Sequence, residues 1–343
     1  MATTTLAVLQ RNGLSVTEYF SKRLLEMIKL ERENFVFTNL GVTMDLPRKE
    51  GTKVFTVRRY NHLPLNNVSD HALTEGVPPT ALKPEGHKVQ GTINQYGVIM
   101  DETDVAADIH FDNVKEIYQP ELARHAAELI ERNIVNSFTD ASEYYVGTSN
   151  DAADDIKASD VLTFKDLRIV ALTMQNANRK GHIKFGGKPV TVMHPNVMND
   201  LIDDPVLVNK LLVPGNENGP IKQGNLAKYM AYGQYFTDSL ICPVKANTGS
   251  VNVYTSYTLG YKPYMVLSLG GSNVKFYDTG FTPDKSDPLG QKTTFGYKLW
   301  TGAKIIDPMA ITAIYSASGY DIALYNDTND TIGKAASQTN ISA

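Results

Sequence analysis

The stretch Gly181-His182-Ile183-Lys184-Phe185-Gly186-Gly187-Lys188 is the nearest approach to a phosphate-binding loop in this chain. Such a loop needs a glycine, four residues, then Gly-Lys and a Ser or Thr hydroxyl. Here the spacing to Gly187-Lys188 is off by one residue, and Pro189 stands at the hydroxyl position. Gly270-Gly271 lacks the strand–GxGxxG–helix setting of a dinucleotide site. The seven histidines form no HExxH word and no helical pair that would converge on zinc. His110 and His125 flank or face a long helical pattern, and His194 precedes a proline at a strand end, so structural roles are expected for all three. Asp200, Asp203 and Asp204, and the group Asp151, Asp154 and Asp155, could hold a cation but lack the glycine and terminal Glu of a calcium loop. No GxSxG word marks a serine nucleophile. Arg58-Arg59 could contact phosphate, but in a strand their side chains face opposite ways, and ion pairs with acidic neighbours compete. No catalytic set, cofactor or metal is therefore expected.

Composition narrows the remaining classes. The chain has 343 residues, a net charge of −4 and one cysteine, Cys242, which rules out an intrachain disulfide. That charge does not suit a protein whose main task is gripping nucleic acid. The apolar runs are far shorter than the roughly 20 residues a membrane helix needs, so no membrane partner is expected. The opening MATTTLAVLQRNG lacks a basic start followed by an apolar run, so no secretory signal is expected either. Charge is uneven along the chain. Residues 1–60 hold ten Lys/Arg against six Asp/Glu, whereas residues 101–160 hold four against fifteen. Two solvated faces would explain this, as would a basic arm of one subunit lying on an acidic body of another.

The elements that must position these residues follow from periodicity. Ser15-Val16-Thr17-Glu18 is a capping box, and Val16, Phe20, Leu24, Met27 and Ile28 behind it make an amphipathic helix. Thr52–Tyr60 alternates as a strand, with Val54 and Thr56 on one face and Phe55 and Val57 on the other; Val89–Met100 could return beside it. The polar stretch Asn61–His87 between them is too long for an ordinary hairpin connection. Leu122, Ala126, Ile130, Ile134 and Phe138 predict a long helix from Pro120, or one that begins near Asp112 with Pro120 at a kink. Residues 140–160 read as a polar connection. Thr163-Phe164-Lys165-Asp166 opens a capped helix with Leu167, Val170, Ala171 and Met174 inward. Pro189–Met193 reads as a buried strand, and His194-Pro195 turns it into a short helix bearing Val197, Leu201 and Ile202. Further strands are expected at Tyr235-Phe236, Val251–Tyr257 and Met265–Leu269. Near the C-terminus, Asp287-Pro288-Leu289-Gly290 makes a turn before two short strands, Thr293–Trp300 and Ala303–Ile306; Asp307-Pro308 then precedes a last strand, Ala310–Tyr315.

That last segment, with Asp287, Pro288, Gly290, Gly296, Lys298, Trp300 and Pro308 in order, resembles the C-terminal half of tailed-bacteriophage major capsid proteins of the Hong Kong 97 type. It looks closest to the phage N-four-like branch. The words Tyr19-Phe20-Ser21-Lys22-Arg23-Leu24-Leu25 and Asn34-Phe35-Val36-Phe37 resemble that family's N-terminal arm. The resemblance implies an α+β fold: arm (1–45), extended loop and peripheral strand (46–105), peripheral domain with spine helix (106–185), axial domain (186–290), returning C-terminal strands (291–316) and polar tail (317–343). It implies a non-enzymatic shell subunit forming hexamers and pentamers around double-stranded DNA, which it touches without sequence specificity. Expected partners include a scaffold, a portal and decoration proteins, with assembly in the bacterial cytoplasm and final residence in the virion. Intersubunit contacts would come from Tyr19, Phe20, Lys22 and Arg23 of the arm and from Arg58, Arg59, Lys83 and Lys88 of the loop. An encapsulin-like compartment shell is the rival within the fold, and a soluble α/β enzyme the rival outside it.

Overall fold

The computed structural model describes residues 36–47, 52–60, 71–73, 75, 82–84, 86–109, 114–147, 150–177, 189–204, 235–249, 251–270, 274–283 and 287–320. The capped helix at Ser15, the arm words up to Phe35, the Gly181–Lys188 stretch, His110 and most of Asn61–His87 lie outside them.

In chain order the described elements are α1 (Phe37–Leu40), β1 (Val42–Leu46), β2 (Val54–Tyr60), β3 (Gly86–Thr92), β4 (Asn94–Thr103), α2 (Asp104–Ile109), α3 (Val114–Asn136) and β5 (Ser142–Tyr145). They continue as α4 (Phe164–Ala177), β6 (Val190–Met193), α5 (Pro195–Ile202), β7 (Tyr235–Asp238), β8 (Val244–Ala246), β9 (Asn252–Leu259), β10 (Tyr264–Leu269), β11 (Val274–Asp278), β12 (Lys292–Ile305) and β13 (Ile311–Ser316). The mixture is α+β, as expected.

The first sheet is organised by β12. Two short strands were expected there, but residues 292–305 form one strand that runs through Gly302. Gly302 does not break it because both neighbours hold it. Its Cα is paired with Leu267, and an added Cβ would sit 2.2 Å from the Thr92 carbonyl oxygen. β4 pairs antiparallel with β12 from Thr103↔Lys292 to Asn94↔Thr301. β10 and β11 are also antiparallel partners of β12, and β1 extends the sheet parallel to β10. Between Leu267↔Gly302 and Val274↔Leu299 the β10–β11 side advances seven residues while β12 advances three. Just past the end of β10, Gly270 adopts a left-handed φ of 66°. Residues 264–278, assigned above to the axial segment, thus share a sheet with β4.

α3 covers one face of this sheet. Leu122, Ala126, Ile130 and Ile134, the expected stripe, are buried against Phe295, Tyr297 and Leu299 of β12 and Phe276 of β11. The helix begins at Val114 rather than Pro120, and Pro120 lies inside it. Packing of the apolar stripe on the sheet outweighs the one hydrogen bond that proline removes.

The second sheet has the order β5-β13-β9-β6-β7, with β8 also on β9. Its strands β6, β9 and β13 are buried on both faces, so they lose the alternation that marks a half-exposed strand. On one side lie α4 and α5, through Leu167, Val170, Met174, Val197 and Leu201; Ile202, on the same helix as Leu201, is exposed. On the other side Tyr257, Leu259, Ile311 and Ala313 join the α3 core. β5 arises inside the expected polar connection because it pairs parallel with β13, Thr312↔Ser142 to Tyr315↔Tyr145. Within the expected arm, 1–45, Phe37 is fully buried and β1 is an integral strand.

Candidate assembly surfaces

β2 and β3 form an antiparallel hairpin in register from Val54↔Thr92 to Tyr60↔Gly86. Its second strand runs into β4 with only Ile93, 1% exposed, between them. The alternation read from the sequence sets the faces. Phe55, Val57 and Val89 lie on the chain's own first sheet, against Leu46, Met265, Leu267, Trp300 and Ile306. The approach is close: a Cβ on Gly91 would stand 2.6 Å from Leu267 Cδ1.

The candidate basic residues divide on this hairpin. Arg58 and Lys88 are directly opposite each other and exposed, and Lys83 is exposed in the connection. Arg59 turns inward and pairs with Asp307 of its own chain at 2.8 Å. Tyr19, Phe20, Lys22 and Arg23 lie outside the described residues.

The fold-motif residues serve backbone geometry. The Asp287 carboxylate accepts from the Lys292 N–H at 2.8 Å, and its carbonyl from the Gly290 N–H at 3.2 Å, with Pro288 between them in the turn. Gly290 adopts φ 65°, which a side chain would strain. Gly296 lets β4 approach, since a Cβ there would meet the Val98 carbonyl oxygen at 2.6 Å. Trp300 lies over the hairpin root. Pro308 opens a single 3-10 turn (Pro308–Ala310) whose N-cap, Asp307, accepts from the Met309 N–H at 3.1 Å.

The groups with chemical potential are engaged in the same way. Asp204 accepts from the Phe164 N–H at the start of α4 (2.8 Å), Asp200 from the Gly319 N–H (3.1 Å) and Asp203 from the Tyr320 hydroxyl. Burial raises the Asp200 carboxyl above its ordinary range. Asp155 accepts from the Ala152 N–H (3.2 Å) and Asp154 from the Thr248 N–H (3.4 Å). His194 is the N-cap of α5, its Nδ1 accepting from the Asn196 N–H at 3.2 Å, and burial lowers its pKa. His125 meets the Tyr297 hydroxyl at 2.6 Å, and burial pushes that phenol up to about 12. Among the described residues, no three His, Cys, Asp or Glu side chains converge as a metal site. No helix of the described residues is long and apolar enough to cross a membrane.

Sequence reasoning missed Glu131. It is fully buried on α3, and its carboxylate accepts from the Phe37 N–H (2.9 Å) and the Thr38 N–H (2.6 Å), and from the Thr38 hydroxyl. These amides open α1, so a carboxylate 93 residues away does the work of a helix cap at the first described helix. A Glu at an apolar position of the α3 stripe was the available signal.

No family model matches the sequence, and no curated protein matches it. Solved structures do. The capsid of cyanophage Pam1 superposes with a TM-score of 0.63 at 11% identity, over 82% of this chain and 89% of that one. The capsid of Ralstonia phage GP4 gives 0.60 at 12% identity, covering 84% and 92%. The capsid of cyanophage P-SCSP1u gives 0.59 at 14%, covering 82% and 88%. With a long helix on a five-stranded sheet, a two-stranded hairpin and a second mixed sheet, the chain has the Hong Kong 97-type fold of tailed-phage capsid subunits.

Proposed function

We propose that this chain is the major capsid protein of a tailed bacteriophage, assembling into the icosahedral head shell around double-stranded DNA. The observation that carries the reading is the extent of the match: it spans 82% of this chain and 89% of the Pam1 capsid chain. The arrangement within the subunit supports it, since the carboxylates and histidines described above cap helices and fasten loops. Closed symmetric shells arise from many modest contacts repeated by symmetry, and a hairpin with exposed Arg58 and Lys88 on its outer face suits that role. Arg58, Lys83 and Lys88 would meet an acidic face of a neighbouring subunit, and Tyr19, Phe20, Lys22 and Arg23 would extend the contact from the arm. The Asp287–Pro308 words support placement in the N-four-like branch. Hexamers and pentamers, scaffold, portal and decoration partners, non-specific contact with DNA and assembly in the host cytoplasm complete the proposal.

Negative-stain microscopy of the purified protein tests it. Closed shells tens of nanometres across are expected. Only monomers at every concentration and ionic strength, with or without the co-expressed neighbouring phage genes, would overturn it. Shells that enclose a specific protein instead of DNA would favour the encapsulin-like reading.

A further inference from the structure

We infer that the outer face of the first sheet is an assembly surface whose occupant is α2 of a second copy of this chain. α3 covers the inner face, and the hairpin reaches the outer one only toward Trp300. Two rows cross the open part in register. In one, Ile99 of β4 and Tyr277 of β11 flank Gly296 of β12 as Cα partners. Ile99 is 69% exposed, and Tyr277 is exposed as well. In the other, Lys298 of β12 stands directly opposite Lys275 of β11, both exposed. Like charges placed directly opposite on a sheet are destabilising. Among the described residues no carboxylate pairs with either lysine; Lys298 Nζ lies 5.2 Å from the centroid of the Tyr277 ring. The single subunit thus displays an apolar row beside a basic row without counter-charge, and a partner both acidic and apolar suits it.

α2 has that composition. It follows β4 directly, and none of its residues is buried. Val105 and Ile109, four apart and so on one side of the helix, are both exposed, Ile109 by 78%. Asp104 and Asp108 make the adjoining stripe. Laid across the strands, α2 carries its two carboxylates about 6 Å apart along its axis. They meet two lysines on neighbouring strands ~4.8 Å apart, while Val105 and Ile109 cover the apolar row. The subunit does not bring these surfaces together itself. The Asp104 N–H donates to the Gln291 carbonyl oxygen at 2.9 Å, which ties α2 to the start of β12, and both surfaces stay exposed. A nucleic-acid backbone would neutralise the lysines but leave the apolar row uncovered. The contact is heterologous, helix of one copy on sheet of the next, and so passes from subunit to subunit. The choice of a second copy as occupant rests on the proposed capsid function.

Disulfide trapping in the full-length chain tests this, with Ile109→Cys on α2 and Tyr277→Cys on the sheet, both exposed, while Cys242 is buried. Under mild oxidation the double variant is expected to give a ladder of linked chains on non-reducing gels. An equal mixture of the two single variants should give dimers, and either single variant alone little product. Adding Lys298→Glu or Asp108→Lys to the double variant is expected to cut the ladder about fivefold, because each sets like charges across the contact. Mixing the two charge-reversed proteins should restore it. No ladder from the double variant, or a ladder indifferent to both reversals, overturns the contact. The parent chain gives a second measurement that needs no substitution: acetylation of Lys275 and Lys298, read by mass spectrometry, should fall on assembly. Equal acetylation before and after, or protection only when DNA is present, also overturns the contact. Electron microscopy of the same samples reads the capsid proposal separately. Shells without trapping sink the contact alone, whereas trapped chains without shells under any condition uphold the contact and sink the capsid reading.

Discussion

The Glu131 carboxylate holds the Thr38 backbone N–H at 2.6 Å across 93 residues of sequence, inside the core and out of contact with water. It fixes the start of α1 against α3. Tyr264 closes the same corner, its hydroxyl donating to the Phe37 carbonyl oxygen.

Replacing Glu131 by Ala leaves the Phe37 and Thr38 amides buried without their acceptor. A loss of about 3 kcal/mol is expected from orphaned groups of this kind. Urea unfolding of the unassembled subunit measures it. Glu131→Gln keeps one carbonyl oxygen but places an NH2 against a donor, so it should fall between the two; a loss for Ala within error of zero sinks the assignment.

The boundary of the arm is testable by truncation. Removal of residues 1–35 should spare the cooperative unfolding of the subunit and cut the yield of closed shells. Removal of 1–40 also deletes Phe37, which is fully buried between Phe138 and Tyr257, at a cost of about 3–5 kcal/mol. Equal melting temperatures for the two truncations would put α1 outside the core.

His194 makes stability depend on pH. Its imidazole accepts the Asn196 N–H only when Nδ1 is unprotonated, and burial lowers its pKa below the ordinary 6.5. The unfolded chain therefore binds the proton more readily than the folded one. The contribution is complete above 6.5 and is lost as pH falls through the lower folded-state value. His194→Asn retains a capping acceptor without a titrating ring, so it should flatten stability between pH 7 and 5 relative to the parent. Parallel slopes for both proteins would count against the cap.

Gly302 is expected to resist substitution more than Gly280. A Cβ at Gly302 meets the Thr92 carbonyl oxygen at 2.2 Å, so the strands must move apart, costing about 1–3 kcal/mol. At Gly280, with φ 63° and nothing within 4 Å, only the backbone preference opposes Ala, about 1 kcal/mol. Thermal denaturation of the two variants gives the comparison, and a more stable Gly302→Ala than Gly280→Ala contradicts the crossing of β3 and β12.

Cys242 should be silent toward a thiol reagent in the native subunit. It is fully buried, and burial, aided by the charge of Asp238, pushes its thiol well above the ordinary value, so the reactive thiolate is scarce. Reaction should appear only with unfolding; rapid labelling under native conditions would show an open path to β8.

Much of the scaffold was legible because it repeats with a local period. The inward faces of α3 and α4, the Thr163–Asp166 capping box and the alternation of Phe55 and Val57 each follow from neighbours within a few residues. The turn at Asp287–Gly290 and the break at Asp307-Pro308 follow from residues whose backbone preferences are strong. The remainder depended on partners distant in sequence. β1 and β5 are short strands whose formation is decided by parallel partners, β10 and β13, more than 160 residues away. The continuity of β12 through Gly302 comes from strands on both sides, against the local tendency of glycine to interrupt. Arg59 was legible as a charge on a strand, but only the tertiary fold chose Asp307 as its partner instead of solvent or a neighbouring subunit. Glu131 could be seen as a carboxylate in an apolar stripe, but its use required the amides of Phe37 and Thr38 to arrive from the far end of the chain. Local sequence determines which face an element buries, through side-chain period and backbone preference; which surface meets that face, and which charge finds which donor, is settled only when distant segments compete for the same core.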